Sequence, residues 1–217
     1  MGGRDDEVTF IKICGITNLD DALVAVANGA DALGFNFYER SPRYIEPAAA
    51  RRIIDNLPGK VTAIGVFVNK PPDIVESVTV TVGLDAVQLH GEETENDIAL
   101  IKARTGKPII KAFRISPDFT IETIDESSAD AVLLDSFSAT EHGGTGIVAD
   151  WSIAKTVVQR GRRVYLAGGL SPDNVASAIQ SVRPYAVDAC SQLESKKGRK
   201  NHEKVRQFIA NAKVIYE

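Results

Sequence analysis

The sequence predicts an α/β protein, a single-domain (β/α)8 barrel with short loops. Eight short runs, most of them apolar on both faces, occur along the 217 residues, as is typical of buried parallel strands. The stretches between these runs have the spacing of amphipathic helices. Asp-Ala followed by an apolar residue opens three of the even-numbered runs, at Asp31, Asp85 and Asp130, and Tyr185 holds the corresponding place in the eighth. These openings recur at about 26 residues per strand-helix unit, and eight such units close naturally into a barrel.

Local patterns predict the individual elements. The predicted strands cover residues 9–14, 32–37, 61–68, 85–90, 108–113, 130–135, 163–169 and 185–190. Helices are predicted over Pro47–Leu57 and Glu203–Ala210, and further helices are predicted to start at Asn18 and Ser171, which are good N-caps. An open doubly wound sheet is the competing fold, but it normally has fewer strands, and no GxGxxG follows the first strand. Residues 1–7 are predicted to be a flexible tail, and residues 8–217 to form the catalytic barrel.

The composition limits the class of protein. With 44% hydrophobic and 25% charged residues and a net charge of -4, the chain resembles ordinary soluble globular proteins. The only dense basic cluster, Lys196–Lys200, is predicted to be a solvated loop, so we expect no nucleic-acid partner. No apolar stretch approaches the ~20 residues of a membrane span. Two cysteines, three histidines and an N-terminus unlike a signal peptide predict reduced thiols, no metal site and a cytoplasmic location.

The barrel prediction places the chemistry at the carboxyl ends of the strands, where catalytic groups gather in this fold. Among the polar residues at these ends are one thiol and one carboxylate, Cys14 after strand one and Asp135 after strand six. Gly168 and Gly169 follow strand seven, where glycine-rich loops of barrels bind phosphate through backbone N–H groups. The residues themselves therefore predict a barrel that acts on a phosphorylated small molecule with an acid and a base.

Several motifs occur in an order that carries a resemblance. They are KICGIT (12–17), GFNFYERSPRYI (34–45), GVFVN (65–69), VQLHGEE (87–93), LLDSFS (133–138), GGTG (143–146) and LAGGLSPDNV (166–175). With these motifs, over nearly the whole chain, the sequence strongly resembles the phosphoribosylanthranilate isomerases. The resemblance implies an Amadori rearrangement of N-(5'-phosphoribosyl)anthranilate in tryptophan biosynthesis, without a metal or organic cofactor.

The resemblance also implies roles for individual residues. Asp135 would be the general acid that protonates the furanose ring oxygen, and Cys14 the general base that takes the proton from sugar carbon 2. Arg43 would hold the carboxylate on the anthranilate side of the substrate. The phosphate end and the pocket lining would be formed by Gly168, Gly169, Asp188 and Ser191, and by Gln88 and His90. Lys12, two residues before Cys14, points to the same strand face.

Other residues have structural interpretations. Cys190 is predicted to be a small core hydrophobe, as is usual for a lone strand cysteine, and Trp151 to be core packing. Residues 142–146 are either a loop over the active site or a flexible connection. Where the family usually reads Asp-Val-Ser-Ser-Gly-Val-Glu after strand eight, this chain has Asp188-Ala-Cys-Ser-Gln-Leu-Glu194. Gln192 thus replaces a glycine whose backbone freedom or small size the phosphate loop can require.

Two alternative functions remain open on the sequence alone. One is another sugar-phosphate barrel enzyme. The histidines do not fit a metal-dependent epimerase, however, and a bifunctional isomerase of histidine and tryptophan synthesis would have aspartates at the ends of strands one and five, where this chain has Cys14 and Arg114. The other is a catalytically silent phosphate-binding barrel, which the presence of both Cys14 and Asp135 argues against. We expect a monomer or a homodimer.

Overall fold

The eight predicted strands all form, and they close into a parallel barrel. The structure, a computed structural model, describes residues 9–116, 119–136 and 151–213. The strands are β1 Phe10–Cys14, β2 Ala32–Asn36, β3 Thr62–Phe67, β4 Ala86–Leu89, β5 Ile109–Ile115, β6 Ala131–Ser136, β7 Val164–Ala167 and β8 Ala186–Ala189. Each strand pairs with the next, and β8 pairs with β1 to close the sheet. The predicted fold class is therefore confirmed, whereas the predicted tail lies outside the described residues.

Within the described residues, seven helices connect the barrel strands and an eighth follows β8. They are α1 Leu19–Ala27, α2 Pro47–Asp55, α3 Pro72–Val82, α4 Glu95–Thr105, α5 Glu122–Asp125, α6 Ser152–Gln159, α7 Val175–Val182 and α8 His202–Ala212. The helices form an outer layer, in which α3 packs against α4, and α8 packs against both α1 and α7. None of the helices within the described ranges combines the length and the apolar character needed to cross a bilayer.

The core has two parts, separated by the barrel wall. The larger part lies between the strands and the surrounding helices and contains most of the buried aliphatic side chains, together with the buried Trp151. The smaller part fills the barrel interior and is rich in alanine. Small interior side chains leave room for the long side chain of Lys12, which is fully buried.

Helix starts agree with the sequence in one place and differ in another. At α1 the Asn18 side chain accepts a hydrogen bond from the Asp21 backbone N–H at 3.0 Å, as an N-cap should. At α7 the prediction of Ser171 as the helix start is wrong, because the N-cap is Asn174. The Ser171 hydroxyl instead accepts from the Asp173 N–H at 3.2 Å, and this local bond holds the segment as a turn.

The basic cluster 196–200 is solvated as its composition predicts at Lys196, Lys197 and Arg199, but it is not a loop, and its last residue is buried. It contributes to a hairpin of β9 Glu194–Lys196 and β10 Arg199–Lys200. Lys200 is buried, and its backbone N–H donates to Asp21 Oδ2 at 2.9 Å. His202 Nε2 lies 2.9 Å from the other oxygen of the same carboxylate. The hairpin is therefore fastened to the starts of α1 and α8, a long-range contact that local composition does not reveal.

Candidate active site

The carboxyl ends of β1 and β8 bring a buried ion pair to the base of the predicted site. Lys12 Nζ lies 2.9 Å from Asp188 Oδ1, and the two residues are paired across the strands. Burial by itself would lower the pKa of Lys12, but attraction to Asp188 and Cys14 outweighs burial and raises the pKa above its usual value. Lys12 is therefore a fixed cation two residues before Cys14 on the same strand.

The ionisation of Cys14 is favoured by its surroundings. A hydrogen bond with Cys190 is the largest influence and, with the charges of Lys12 and Lys200, lowers the pKa of Cys14 to about 6. Burial and the Asp188 carboxylate act in the opposite direction. A thiol with this pKa is mostly thiolate at neutral pH, which is the form that accepts a proton.

Asp135, at the end of β6, has a raised pKa, whereas that of Cys14 is lowered. Its side chain is 41% exposed. Despite this exposure, partial burial is the largest influence and raises its pKa, and repulsion from Asp188 adds to the rise, whereas His90 and Arg114 partly offset it. A carboxyl group of this kind holds its proton to higher pH than usual, as a general acid must.

His90 faces Asp135 as a neutral imidazole. Its Nε2 lies 3.9 Å from Asp135 Oδ2, and burial lowers its pKa. The buried Gln88 side chain places its Nε2 at 2.9 Å from His90 Nδ1. An amide nitrogen only donates, so Nδ1 accepts and the ring proton lies on Nε2, toward Asp135. The predicted pocket-lining pair is thus brought to Asp135, the predicted acid.

A buried charge pair, which the sequence prediction missed, shapes the loop that follows β4. Glu93 accepts hydrogen bonds from the backbone N–H groups of Asn69 at 2.8 Å and Gly91 at 2.9 Å. Lys111 Nζ completes the arrangement at 3.0 Å from Glu93. The lysine in the otherwise apolar run PIIKAF was the available signal, since a charge on a buried strand needs a partner.

Arg43 lies on the β1–β8 side of the site and is held by Glu194. Its Nε and Nη2 donate to the two carboxylate oxygens at 2.7 and 2.8 Å. A Cβ added at Gly15 would lie 2.9 Å from Arg43 Cδ and 2.8 Å from Cys190 Sγ, so Arg43 and Cys190 both pack on that glycine. Burial would raise the pKa of Glu194, but Arg43 and Lys200 lower it below its usual value.

The predicted phosphate end has the backbone shape that the sequence implies. Gly168 and Gly169 have φ values of 83° and 70°, a conformation that glycine adopts easily. Ser191 begins a single 3-10 turn, Ser191–Leu193, directly after β8. Gln192 lies in this turn without a positive φ, so its backbone does not need glycine. Its carbonyl accepts from Lys204 Nζ at 3.3 Å.

The prediction that Cys190 is a core hydrophobe is wrong, because this residue is partly exposed and contacts the predicted base. The sequence prediction missed this because β1 and β8 become neighbours only when the barrel closes.

Residues 142–146, and the GGTG motif within them, lie outside the described residues. Among residues 9–116, 119–136 and 151–213, no cluster of three or more His, Cys, Asp or Glu is arranged to hold a metal ion.

Known proteins are similar to this chain in both sequence and fold. The model of the family described as N-(5'phosphoribosyl)anthranilate (PRA) isomerase matches residues 11–211. The N-(5'-phosphoribosyl)anthranilate isomerase of Trichlorobacter lovleyi is 51% identical over 203 residues, which is 94% of this chain and 97% of that one.

Two solved structures of such isomerases superpose on nearly the whole chain. One, in complex with reduced 1-(o-carboxyphenylamino)-1-deoxyribulose 5-phosphate, has a TM-score of 0.83 and 44% identity, covering 94% of this chain and 98% of that one. The other shows monomers of the dimeric Thermotoga maritima protein, with a TM-score of 0.81 and 42% identity, covering 95% and 100%. The family match, the identity over nearly full length and the barrel together show that this chain belongs to the N-(5'-phosphoribosyl)anthranilate isomerase family.

Proposed function

We propose that the protein isomerises N-(5'-phosphoribosyl)anthranilate to 1-(2-carboxyphenylamino)-1-deoxyribulose 5-phosphate, a step of L-tryptophan biosynthesis. The observation that carries the proposal is the pairing of opposite pKa shifts at one rim of the barrel. Asp135 has a raised pKa, and Cys14 has a pKa lowered to about 6. The Asp188 carboxylate influences both groups electrostatically. A protonated acid and an ionised base are what an Amadori rearrangement needs.

The reaction begins at the acid. The Asp135 carboxyl group gives its proton to the furanose ring oxygen, and the bond between that oxygen and sugar carbon 1 breaks. The anthranilate nitrogen supplies the electron pair, so carbon 1 becomes a protonated Schiff base. His90 then faces the new Asp135 carboxylate with its Nε2 proton.

The base completes the rearrangement. The Cys14 thiolate removes the proton from carbon 2, and the electrons of that C–H bond form a double bond between carbons 1 and 2. The iminium nitrogen is neutralised, which gives an enolamine. The enolamine tautomerises to the 2-ketone, so substrate and product have the same atoms. No cofactor is needed for these steps.

Arg43 is proposed to bind the anthranilate carboxylate. Its bidentate pair with Glu194 uses the Nε side of the guanidinium and fixes the plane of the group. The Nη1 side is then oriented for a second carboxylate, a geometry that suits arginine better than lysine. Glu194 was present in the motif after strand eight, but its partner follows only from the fold.

The phosphate is proposed to bind between the loops after β7 and β8. Gly168 and Gly169 let the backbone approach closely, and Ser191 adds a hydroxyl. Asp188 borders this end, and its pairing with Lys12 offsets the negative charge that would repel phosphate. We further propose a cytoplasmic protein, a monomer or homodimer, that has no nucleic-acid partner.

The turnover assay tests the function directly. Freshly generated N-(5'-phosphoribosyl)anthranilate is mixed with the purified protein, and formation of the rearranged product is followed by chromatography. We expect product to form in proportion to protein concentration. An enzyme-free sample corrects for spontaneous hydrolysis, which releases anthranilate instead. A folded protein that forms no product would contradict the proposal and favour a silent barrel or another sugar-phosphate substrate.

Substituting Arg43 tests the carboxylate role. We expect Arg43→Ala to raise KM by about 10- to 100-fold, the size of a lost charged hydrogen bond, with a smaller change in kcat. Steady-state kinetics measure both constants. Because the change leaves the Glu194 carboxylate without Arg43, the double variant Arg43→Ala/Glu194→Gln is the matched control and should have a similar KM. An unchanged KM in both variants would rule out this role.

A further inference from the structure

Cys190 lies beside the proposed base at the seam where β8 closes onto β1. Lys12 pairs with Asp188 and Ile13 with Ala189, where the ladder ends, and Cys14 and Cys190 are the next residues of the two segments. Neighbouring strands lie only about 4.8 Å apart. Both thiols therefore lie at the same rim, although 175 positions separate them in the sequence.

Packing confines both sulfur atoms. A Cβ added at Gly34 would lie 2.7 Å from Cys14 Sγ, so the thiol rests on that glycine. Cys190 Sγ rests on Gly15, where an added Cβ would lie 2.8 Å away. The buried Lys200 Nζ donates to the Cys190 carbonyl at 3.1 Å and lies 3.8 Å from its sulfur. The Cys190 side chain is thus held beside Cys14 by the hairpin and by the glycine after β1.

The charged groups around Cys14 are largely compensated. From β1 and β8, the Lys12 cation is paired with Asp188 at 2.9 Å. From the hairpin, Lys200 Nζ lies 3.6 Å from Glu194 Oε1. From the loop after β2, Arg43 is also paired with Glu194. Each cation near the thiol has a carboxylate partner, so a neutral donor in direct contact has a large influence on which form of Cys14 is stable.

We propose that Cys190 is a positioning residue, whose thiol donates a hydrogen bond to the Cys14 thiolate and holds the base ionised and in place. This inference rests on the proposed role of Cys14. The two thiols do not both ionise, because like charges in contact repel. The Cys14 proton leaves first, and contact with Cys14 raises the pKa of Cys190 well above its usual value. Cys190 therefore keeps the proton that it donates.

A pair of substitutions separates the hydrogen bond from packing. Cys190→Ala removes the donor, and Cys190→Ser restores a donor of similar size. The pKa of Cys14 is measured without substrate, from the ultraviolet absorbance of the thiolate in a phosphine reductant, and Cys14→Ala identifies the signal. We expect Cys190→Ala to raise the pKa of Cys14 by about one unit and Cys190→Ser to leave most of the lowering intact.

The same variants are then compared during turnover. We expect the acid limb of the kcat/KM profile to move to higher pH in Cys190→Ala and to return toward its original position in Cys190→Ser. An unchanged pKa of Cys14 in Cys190→Ala, or equal shifts in both variants, would overturn the proposal. If Cys190→Ala does not fold, Cys190→Val and Cys190→Thr form a second pair with matched shape, and the same difference is expected. Because the titration needs no substrate, failure of this proposal is distinguished from failure of the proposed function.

Discussion

Replacing Cys14 with alanine is expected to lower kcat by about 10²- to 10⁴-fold, the usual contribution of a positioned base. The thiolate is the only group proposed to take the carbon 2 proton, and alanine has no site for it. The fold should survive, because the substitution removes a single atom of a small side chain. Steady-state kinetics and urea unfolding measure the two effects separately.

The loss of kcat can be assigned to the missing base only if the Cys14→Ala variant still binds its ligands. Product affinity, measured by titration of the anthranilate fluorescence, should remain within a few-fold of the wild-type value. If Cys14→Ala kept more than a tenth of the wild-type kcat, Cys14 would not be the base. In the wild type, kcat/KM should fall as pH drops below about 6, because protons then occupy the Cys14 thiolate.

Replacing Asp135 with asparagine is expected to lower kcat by a similar factor, about 10²- to 10⁴-fold. Asparagine keeps the shape of the side chain but has no acidic proton to give to the ring oxygen. The wild-type activity should fall as pH rises through the raised pKa of Asp135, since the acid then loses its proton. This dependence on the Asp135 proton should be absent from the pH profile of the residual activity of Asp135→Asn, and the dependence on Cys14 should remain.

Asp130 provides a matched control, because it precedes the same strand at the opposite end of the barrel. Its carboxylate accepts from the Ile109 N–H at 2.8 Å and pairs with Lys102 at 2.6 Å. Asp130→Asn should therefore lower stability modestly and leave kcat unchanged. Equal losses of kcat in the two variants would show that Asp135 acts through the fold rather than as the acid.

The loop after β4 shows that sequence motifs do not predict the side-chain contacts within a site. The resemblance predicts Gln88 and His90, in the motif VQLHGEE, as pocket residues, but it gives neither the tautomer of His90 nor the partner of Glu93. Lys111, which lies on the next strand, supplies that partner at 3.0 Å. The pairing holds the loop through a buried charge. The apolar run around Lys111 signals that its charge needs a partner, but the sequence near either residue does not identify Glu93 as that partner.

The sequence by itself determined the barrel, the ends of its strands and the side on which Cys14 and Asp135 lie. Those features depend on local apolar runs and on the alternation of side chains along a strand. Only the tertiary structure decided that Cys190 contacts Cys14, that Glu194 holds Arg43, and that Lys200 is buried in a hairpin. Each of these contacts joins distant parts of the chain, and closure of β8 onto β1 brings them together.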